Sequence, residues 1–316
     1  MAEKIFDLII IGGGPAGLTA GLYASRAKLK CVLLEKAVPG GQVLFTDAIE
    51  NFPGFSKPVN GTDLVSEMVK QAERFGLTIE NDEALKVSRP SSADKGFIIE
   101  TSSGKIYNTL SLIAASGAAW KHLEVPGEDR LKGKGVSYCA SCDGPFFKGR
   151  DVTVVGGGDK ALEESLYLAK MVNSVRLIHR RDQFRAVKEL QERVLGNPKI
   201  TPVYDSVVSE IGGNKSVEFV RVTNKKTKSM DIIPCAAVFI FIGIEPESGF
   251  LKGIVDMDEK GFVIVDRRLR SSVDGIYACG DVVKKDLYQI VTAVGEAAAA
   301  AFDAERRLGE TKAGGA

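Results

Sequence analysis

The chain opens on an unbroken apolar run rich in β-branched residues, "IFDLIII" (5–11), which "GGGPAG" interrupts before "PAGLTAGLYASRA" continues with helix-compatible residues. That succession predicts a strand, a tight turn and a helix. A second strand, "CVLLEK", follows and ends at Glu35. The same grammar returns in "DVTVVGGGDKALEESLYLAK" (151–170), with "SVRLIHRR" as its second strand. Two copies of one nucleotide-fold pattern are therefore expected.

Between and after them the pattern is less regular. "PGGQVLFTDAIENFPGF" is rich in Gly and Pro, and a helix near 61–76 then precedes strands near 77–89, 96–101 and 106–115. The second copy ends in "AAVFIFIGIEPE" (236–247), and "GFVIVD", "GIYACGD" and "QIVTAVGEAAAAAFDAERRL" read as strand, turn and Ala-rich helix. The first copy lacks a closing strand and helix, so this C-terminal piece is expected to complete it. The fold class is α/β, with two Rossmann-like three-layer domains, residues 118–247 being inserted between 1–117 and 248–316. The crossings near Gly117 to Trp120 and Gly243 to Ser248 form paired linkers suited to a hinge. The last residues, "TKAGGA", have the composition of a frayed tail.

A length of 316 residues suits two domains. Lys and Arg number 42 against 41 Asp and Glu, so the net charge of +1 provides no general field for nucleic acid or anionic lipid. Leu8 to Ser25 is uncharged, yet it contains Gly12, Gly13, Gly14, Pro15, Gly17 and Gly21, which suits neither a spanning helix nor a signal peptide. Five cysteines at irregular spacing (31, 139, 142, 235, 279) do not read as a secreted disulfide scaffold. A soluble, cytoplasmic protein is expected.

The glycines carry the first chemistry. Gly12, Gly14 and Gly17 fit G-x-G-x-x-G, where they permit the turn, let backbone approach a pyrophosphate and let helix pack on strand. Glu35 follows Gly17 by 18 residues and suits a ribose diol, its alternative being a solvated strand end. In the second copy Gly156, Gly158 and Ala161 repeat the loop. His179 follows Glu35 by 144 residues, as Gly156 follows Gly12, so a base stands where the acid stood. His179, Arg180 and Arg181, with Arg185 four positions on along the same face of the next helix, suit a 2′-phosphate, because guanidinium presents a fixed fork of donors. The cluster points to NADPH over NADH, a solvated basic turn being the alternative.

Cys139 and Cys142 lie just before the second copy. A zinc site needs further ligands, and only two histidines exist in the chain. A structural disulfide does not suit the cytosol. A redox pair explains more, since C-x-x-C lets one thiolate resolve a mixed disulfide made by the other. Asp143 can move a proton to or from a departing thiolate, or cap a helix starting at Gly144. A nicotinamide carries hydride whereas a disulfide takes an electron pair and protons, so a flavin in the first domain is expected to mediate.

At this point "GGGPAG", "GGQ" (40–42), "ENFPG" (50–54), "CASCDG", "GGGDKALEE", "HRRDQFRA" and "GIYACGD" occur in order. The chain resembles low-molecular-weight thioredoxin reductase over essentially its full length. The resemblance implies FAD and NADPH as cofactors, a thioredoxin-like partner and a homodimer. It implies that Gly12, Gly14, Pro15 and Ala16 hold the FAD pyrophosphate and Glu35 its ribose, with Gly41, Gln42 and Asn51 near the flavin. Gly280 and Asp281 would meet the ribityl-phosphate portion, and Gln289 and Ile290 the pyrimidine edge. Gly156, Gly158, Asp159, Glu163 and Gly243 join His179, Arg180, Arg181 and Arg185 as the NADPH set.

In the resembled family the second cysteine faces the flavin, which makes Cys142 the electron acceptor and Cys139 the attacker of thioredoxin, with the inserted domain rotating between half-reactions. Tyr288 replaces a frequent Arg, Lys160 a small polar residue, Ser116 a Thr and Cys279 an alanine. Cys31, Cys235 and Cys279 read as packed core residues.

A hydroperoxide-system reductase would carry an N-terminal thioredoxin-like module, and only four residues precede "IFDLIII". A ferredoxin reductase of this type lacks the cysteine pair, and a ferredoxin-dependent thioredoxin reductase lacks the basic cluster. A flavin-bound redox sensor without turnover is the alternative from another class.

Overall fold

In the computed structural model the chain forms two compact units, one built from Met1–Ala119 and Glu245–Ala316 and the other from Trp120–Ile244. The structure describes residues 5–46, 49, 51–90 and 96–313; residues 1–4, parts of the Gly/Pro-rich stretch after Lys36 and the end of the "TKAGGA" tail lie outside them.

The first leg runs β1 (Ile5–Ile11), α1 (Pro15–Arg26), β2 (Cys31–Glu35), α2 (Gly61–Arg74), β3 (Thr78–Asn81), β4 (Ala84–Ser88), β5 (Phe97–Thr101), β6 (Ile106–Ala114) and β7 (Ala118–Trp120). Strand β1 lies between β2 and β6, parallel to both, with Ile9 opposite Val32 and Leu112. This central place explains why "LIII" does not alternate with polar residues. Leu8 and Ile10 enter the core shared with α1, while Ile9 and Ile11 enter the core on the other face. Strands β4 and β5 add an antiparallel extension along part of β6.

The inserted unit contains β8 (Val136–Ser137), α3 (Ala140–Asp143), β9 (Asp151–Gly156), α4 (Asp159–Ala169), β10 (Ser174–Ile178), α5 (Lys188–Leu195), β11 (Ile200–Val203), β12 (Ser206–Gly212), β13 (Phe219–Asn224), β14 (Met230–Pro234) and β15 (Ala237–Phe241). Its parallel sheet has the order β11-β10-β9-β15-β8, and β12-β13-β14 form a separate antiparallel sheet. Val152 and Val154 face a core with Leu162 and Leu168 of α4, whereas Val155 and Val238 face a core with Val208 and Val220 of the antiparallel sheet. This unit is helices, parallel sheet and antiparallel sheet in three layers.

On the return leg β16 (Ile244–Pro246) pairs with β7, so the two chain crossings run side by side. Strand β17 (Ile276–Ala278) joins β6 in parallel, and α6 (Ile290–Ala313) supplies Ala297, Ala300, Ala301 and Ala304 to the core that holds Ala16, Ala20 and Ala24 of α1. The missing strand and helix of the first sheet thus come from the C-terminal segment. "GFVIVD" is not a regular strand, for Val263 makes only isolated bridges to Met257 and Val283. Local side-chain turns win there: Asp258 Oδ1 accepts the N–H groups of Lys260 and Phe262, and Asp266 Oδ1 those of Arg268 and Arg270.

Candidate functional site

In the first unit the turn after β1 is shaped for close approach. Gly12 has φ +105°, and a Cβ there would stand 2.4 Å from the Ala115 carbonyl oxygen. A Cβ on Gly17 would stand 1.7 Å from Gly12 O, so only glycine lets α1 start against β1. Gly14 has open space where a Cβ would be, and Pro15 occupies the first turn of α1 with Ala16 buried behind it. Glu35 ends β2 with Oε2 accepting the Gly13 N–H at 2.6 Å and Oε1 the Ala37 N–H at 2.9 Å. A carboxylate has acceptor capacity left for a diol.

Gln42 is exposed after Gly41 and donates through Nε2 to Ala118 O. Asn51 Nδ2 donates to Gln289 Oε1 at 2.9 Å, joining two residues far apart in sequence immediately before Ile290 opens α6. Gly280 takes φ +71°, and its N–H donates to Glu296, which also pairs with Lys285. Asp281 Oδ1 and Ser116 Oγ are sealed from solvent and have no hydrogen-bond partner among the described residues. Burial pushes the Asp281 carboxyl up, with Lys285 opposing. A glycine cradle beside orphaned buried acceptors fits a polyhydroxylated dinucleotide such as FAD. Tyr288, in place of the frequent Arg, accepts the Lys285 N–H at 3.3 Å.

In the inserted unit Cys139 and Cys142 form a disulfide with a Cα separation of 5.3 Å. Both are half-buried on α3, whose N-cap is Cys139: the Cys142 N–H donates to Cys139 Sγ at 3.2 Å. The Asp143 N–H donates to Cys139 O at 3.1 Å, and Asp143 also stands at the N-cap position of a 3-10 helix, Gly144–Phe147, to which its side chain gives no capping hydrogen bond. Burial pushes the Cys279 thiol to about 12, the Cys235 thiol to about 11 and the Cys31 thiol up. These three stay protonated and inert at neutral pH.

A cavity of about 410 Å³ opens at the ends of β9, β10 and β15. Leu123, Val155, Ile178, Val208 and Phe241 give it apolar walls, and Lys121, His122, His179, Arg180 and Arg185 its basic lining. Gly156 belongs to the lining, and a Cβ there would meet Phe241 O at 2.5 Å and the Ala161 Cβ at 2.6 Å. His179 is 4% exposed, and its Nε2 has no hydrogen-bond partner among the described residues. Burial first, then the Arg185 and Arg181 charges, push its imidazole down despite the backbone of Gln183, so it is a neutral ring and not a cation. The size, apolar walls and basic groups fit a phosphorylated adenosine.

The basic cluster is not arranged as its spacing suggested. Arg185 is not four positions along a helix from Arg181, because α5 starts only at Lys188 and residues 180–187 form a loop. That loop is pinned by Arg185 N–H to Gly157 O (2.7 Å) and by Val187 N–H to Asp159 Oδ1 (2.8 Å). Arg185 joins Arg180 in the lining of the cavity, to which Arg181 does not contribute. Gly158, Asp159, Glu163 and Gly243 are outside the lining as well, with Glu163 exposed on α4 and Gly243 accepting the Lys121 N–H. Lys160 pairs with Glu164 one turn on. Sequence reasoning missed Lys121, His122, Leu123 and Ser206, which reach this cavity only through the packing of the segment after β7 and of β12.

A family model described as pyridine nucleotide-disulphide oxidoreductase matches residues 6–297. The chain is 41% identical over 302 residues to the thioredoxin reductase of Treponema pallidum, covering 96% of this chain and 97% of that one. It is 43% identical over 305 residues to that of Rickettsia conorii, covering 95% and 97%. The crystal structure of the Streptococcus pyogenes thioredoxin reductase matches with a TM-score of 0.91 at 40% identity, over 98% of this chain and 100% of that one. Two nucleotide-type folds and a C-x-x-C disulfide accord with the pyridine nucleotide-disulphide oxidoreductase class. Within that class, the chain belongs to the low-molecular-weight thioredoxin reductases.

Proposed function

We propose that the protein is an NADPH-dependent thioredoxin-disulfide reductase, a cytoplasmic homodimer with FAD in the first unit and NADPH in the inserted one. The observation that carries this reading is the Cys139–Cys142 disulfide within a unit that also holds a cavity lined by Arg180 and Arg185. When bound, FAD supplies two-electron chemistry between a hydride donor and a disulfide. Gly12, Gly14, Pro15, Ala16, Glu35, Gly280 and Asp281 would hold it, with Gln42, Asn51, Gln289 and Ile290 toward its ring. Arg180 and Arg185 would hold the 2′-phosphate of NADPH.

Two electrons and two protons open the Cys139–Cys142 bond to a pair of thiols. The Cys139 thiolate then attacks one sulfur of the partner disulfide and releases the other as a thiolate. Cys142 attacks Cys139 Sγ, restores the intramolecular disulfide and frees the second thiol of thioredoxin. Asp143 moves protons at this turn. Phe146, 56% exposed just past the pair, offers an apolar contact to the partner. Rotation of the inserted unit about the paired crossings belongs to this reading.

Anaerobic titration of the yellow protein with NADPH, then with NADH, followed by oxidised thioredoxin, tests it. Flavin bleaching by NADPH and its catalytic recovery on adding thioredoxin are expected. Bleaching without turnover, across several thioredoxins including one from the same cell, would leave only the redox-sensor reading.

A further inference from the structure

His122 shares the lining of the cavity with Arg180 and Arg185, and its ring is held from behind. Nδ1 lies 3.0 Å from Tyr138 Oη and 3.4 Å from Glu128 Oε1. The Tyr138 hydroxyl donates to Glu128 Oε1 at 2.6 Å. Burial, and then that carboxylate, push the phenol well above its ordinary range, so its proton stays in place. Glu128 is 3% exposed and also accepts the N–H groups of Leu123 (3.0 Å) and Glu124 (2.7 Å).

This arrangement fixes the tautomer. The single Tyr138 proton is committed to Glu128, so the hydrogen between Tyr138 and His122 must sit on Nδ1. In a neutral ring Nε2 is then a lone-pair acceptor, which repels a phosphate oxygen. Nε2 makes no hydrogen bond among the described residues. Only by taking a proton from solvent does it become a donor toward an anion, while Nδ1–H keeps its place against Tyr138 and Glu128.

We propose that His122 is a ligand to the 2′-phosphate of the dinucleotide and takes up a proton as that phosphate enters the cavity. The inference rests on the NADPH reading above. The groups around the imidazole are Glu128 and Tyr138 at Nδ1, Lys132 over the Tyr138 ring at 5.7 Å, neighbouring Lys121 and Glu124, and His179, Arg180 and Arg185 of the shared lining. Four of these, Lys121, Lys132, Arg180 and Arg185, are cations set against the carboxylates of Glu124 and Glu128, and an entering phosphate dianion favours a proton on the ring nitrogen that faces it. Trp120 stacks on Tyr138 at 6.2 Å and holds the anchor still.

The test is titration calorimetry of the flavin-loaded full chain with 2′,5′-ADP and 5′-ADP at pH 8, in buffers of different ionisation enthalpy. The wild type should prefer 2′,5′-ADP and take up a fraction of a proton with it that 5′-ADP does not elicit. His122→Ala should lose roughly tenfold in 2′,5′-ADP affinity and nothing for 5′-ADP. His122→Lys should keep the affinity and lose the uptake. Equal losses on both ligands, or undiminished uptake in His122→Lys, overturn the inference alone. A wild type without preference for 2′,5′-ADP overturns the NADPH reading and this inference with it.

Discussion

The backbone N–H of Cys142 points at Sγ of Cys139 across 3.2 Å, so the two cysteines are electrostatically unequal. A donor aimed at one sulfur favours its thiolate when the pair is reduced. Cys139 is thereby the better attacking group, and Cys142 the resolving one. Cys142→Ser should still be bleached by NADPH, lose turnover with thioredoxin and accumulate a mixed disulfide through Cys139. Mass spectrometry of the trapped adduct checks the assignment, and accumulation through Cys142 in Cys139→Ser instead would reverse it.

Arg180 and Arg185 line the cavity and Arg181 does not, so the three arginines should not be equivalent. Replacing Arg180 or Arg185 with Ala should cost roughly 10- to 100-fold in NADPH affinity, with little change for NADH. Arg181→Ala should change NADPH binding only a few-fold, through long-range charge. Parallel KM measurements with both nucleotides decide this, and a larger loss at Arg181 than at Arg185 would refute the arrangement.

Gly17 tests the first cradle. An added Cβ would meet Gly12 O at 1.7 Å, and neither backbone can yield without separating α1 from β1. Gly17→Ala should cost about 3 kcal/mol or more and release flavin on purification. The ratio of flavin to protein absorbance and the melting temperature report both effects, and a fully yellow variant of unchanged melting temperature would contradict the packing.

Much of this was legible in the chain because it is local. "IFDLIII" and "DVTVVG" are buried on both faces, so their unbroken apolar character survives as β1 and β9. The glycines after them carry steric demands that no other residue meets. What escaped is non-local. The spacing of Arg181 and Arg185 suits one helix face, yet two backbone N–H groups, donating to Gly157 O and to the Asp159 carboxylate, hold Arg185 in a loop. "GFVIVD" has strand composition, but the carboxylates of Asp258 and Asp266 turn the backbone at either end. His122 has no motif at all, and only the burial of Glu128 and Tyr138 gives its ring a fixed role.

Asp281 links the first cradle to pH. Its Oδ1 is sealed and has no partner among the described residues, and burial raises the carboxyl above its ordinary value of 3.8. A raised folded value means that the folded chain holds the proton more tightly than the unfolded one. The resulting stability is present below the ordinary carboxyl range and is lost as the pH rises through the raised value. Above that raised value the ionised side chain therefore destabilises the flavin-free protein, a burden that hydroxyl donors of a bound dinucleotide would relieve. Asp281→Asn should stabilise the flavin-free protein at pH 7.5 by roughly 1 kcal/mol, with the gain shrinking as the pH falls toward 4. It should at the same time weaken flavin retention, because a neutral amide oxygen accepts less strongly than a carboxylate. Thermal denaturation of flavin-free protein across this range, beside flavin release from the loaded protein, separates the two effects. An Asn variant that is less stable at pH 7.5, or that holds flavin more tightly, would mean that Asp281 does not await a donor.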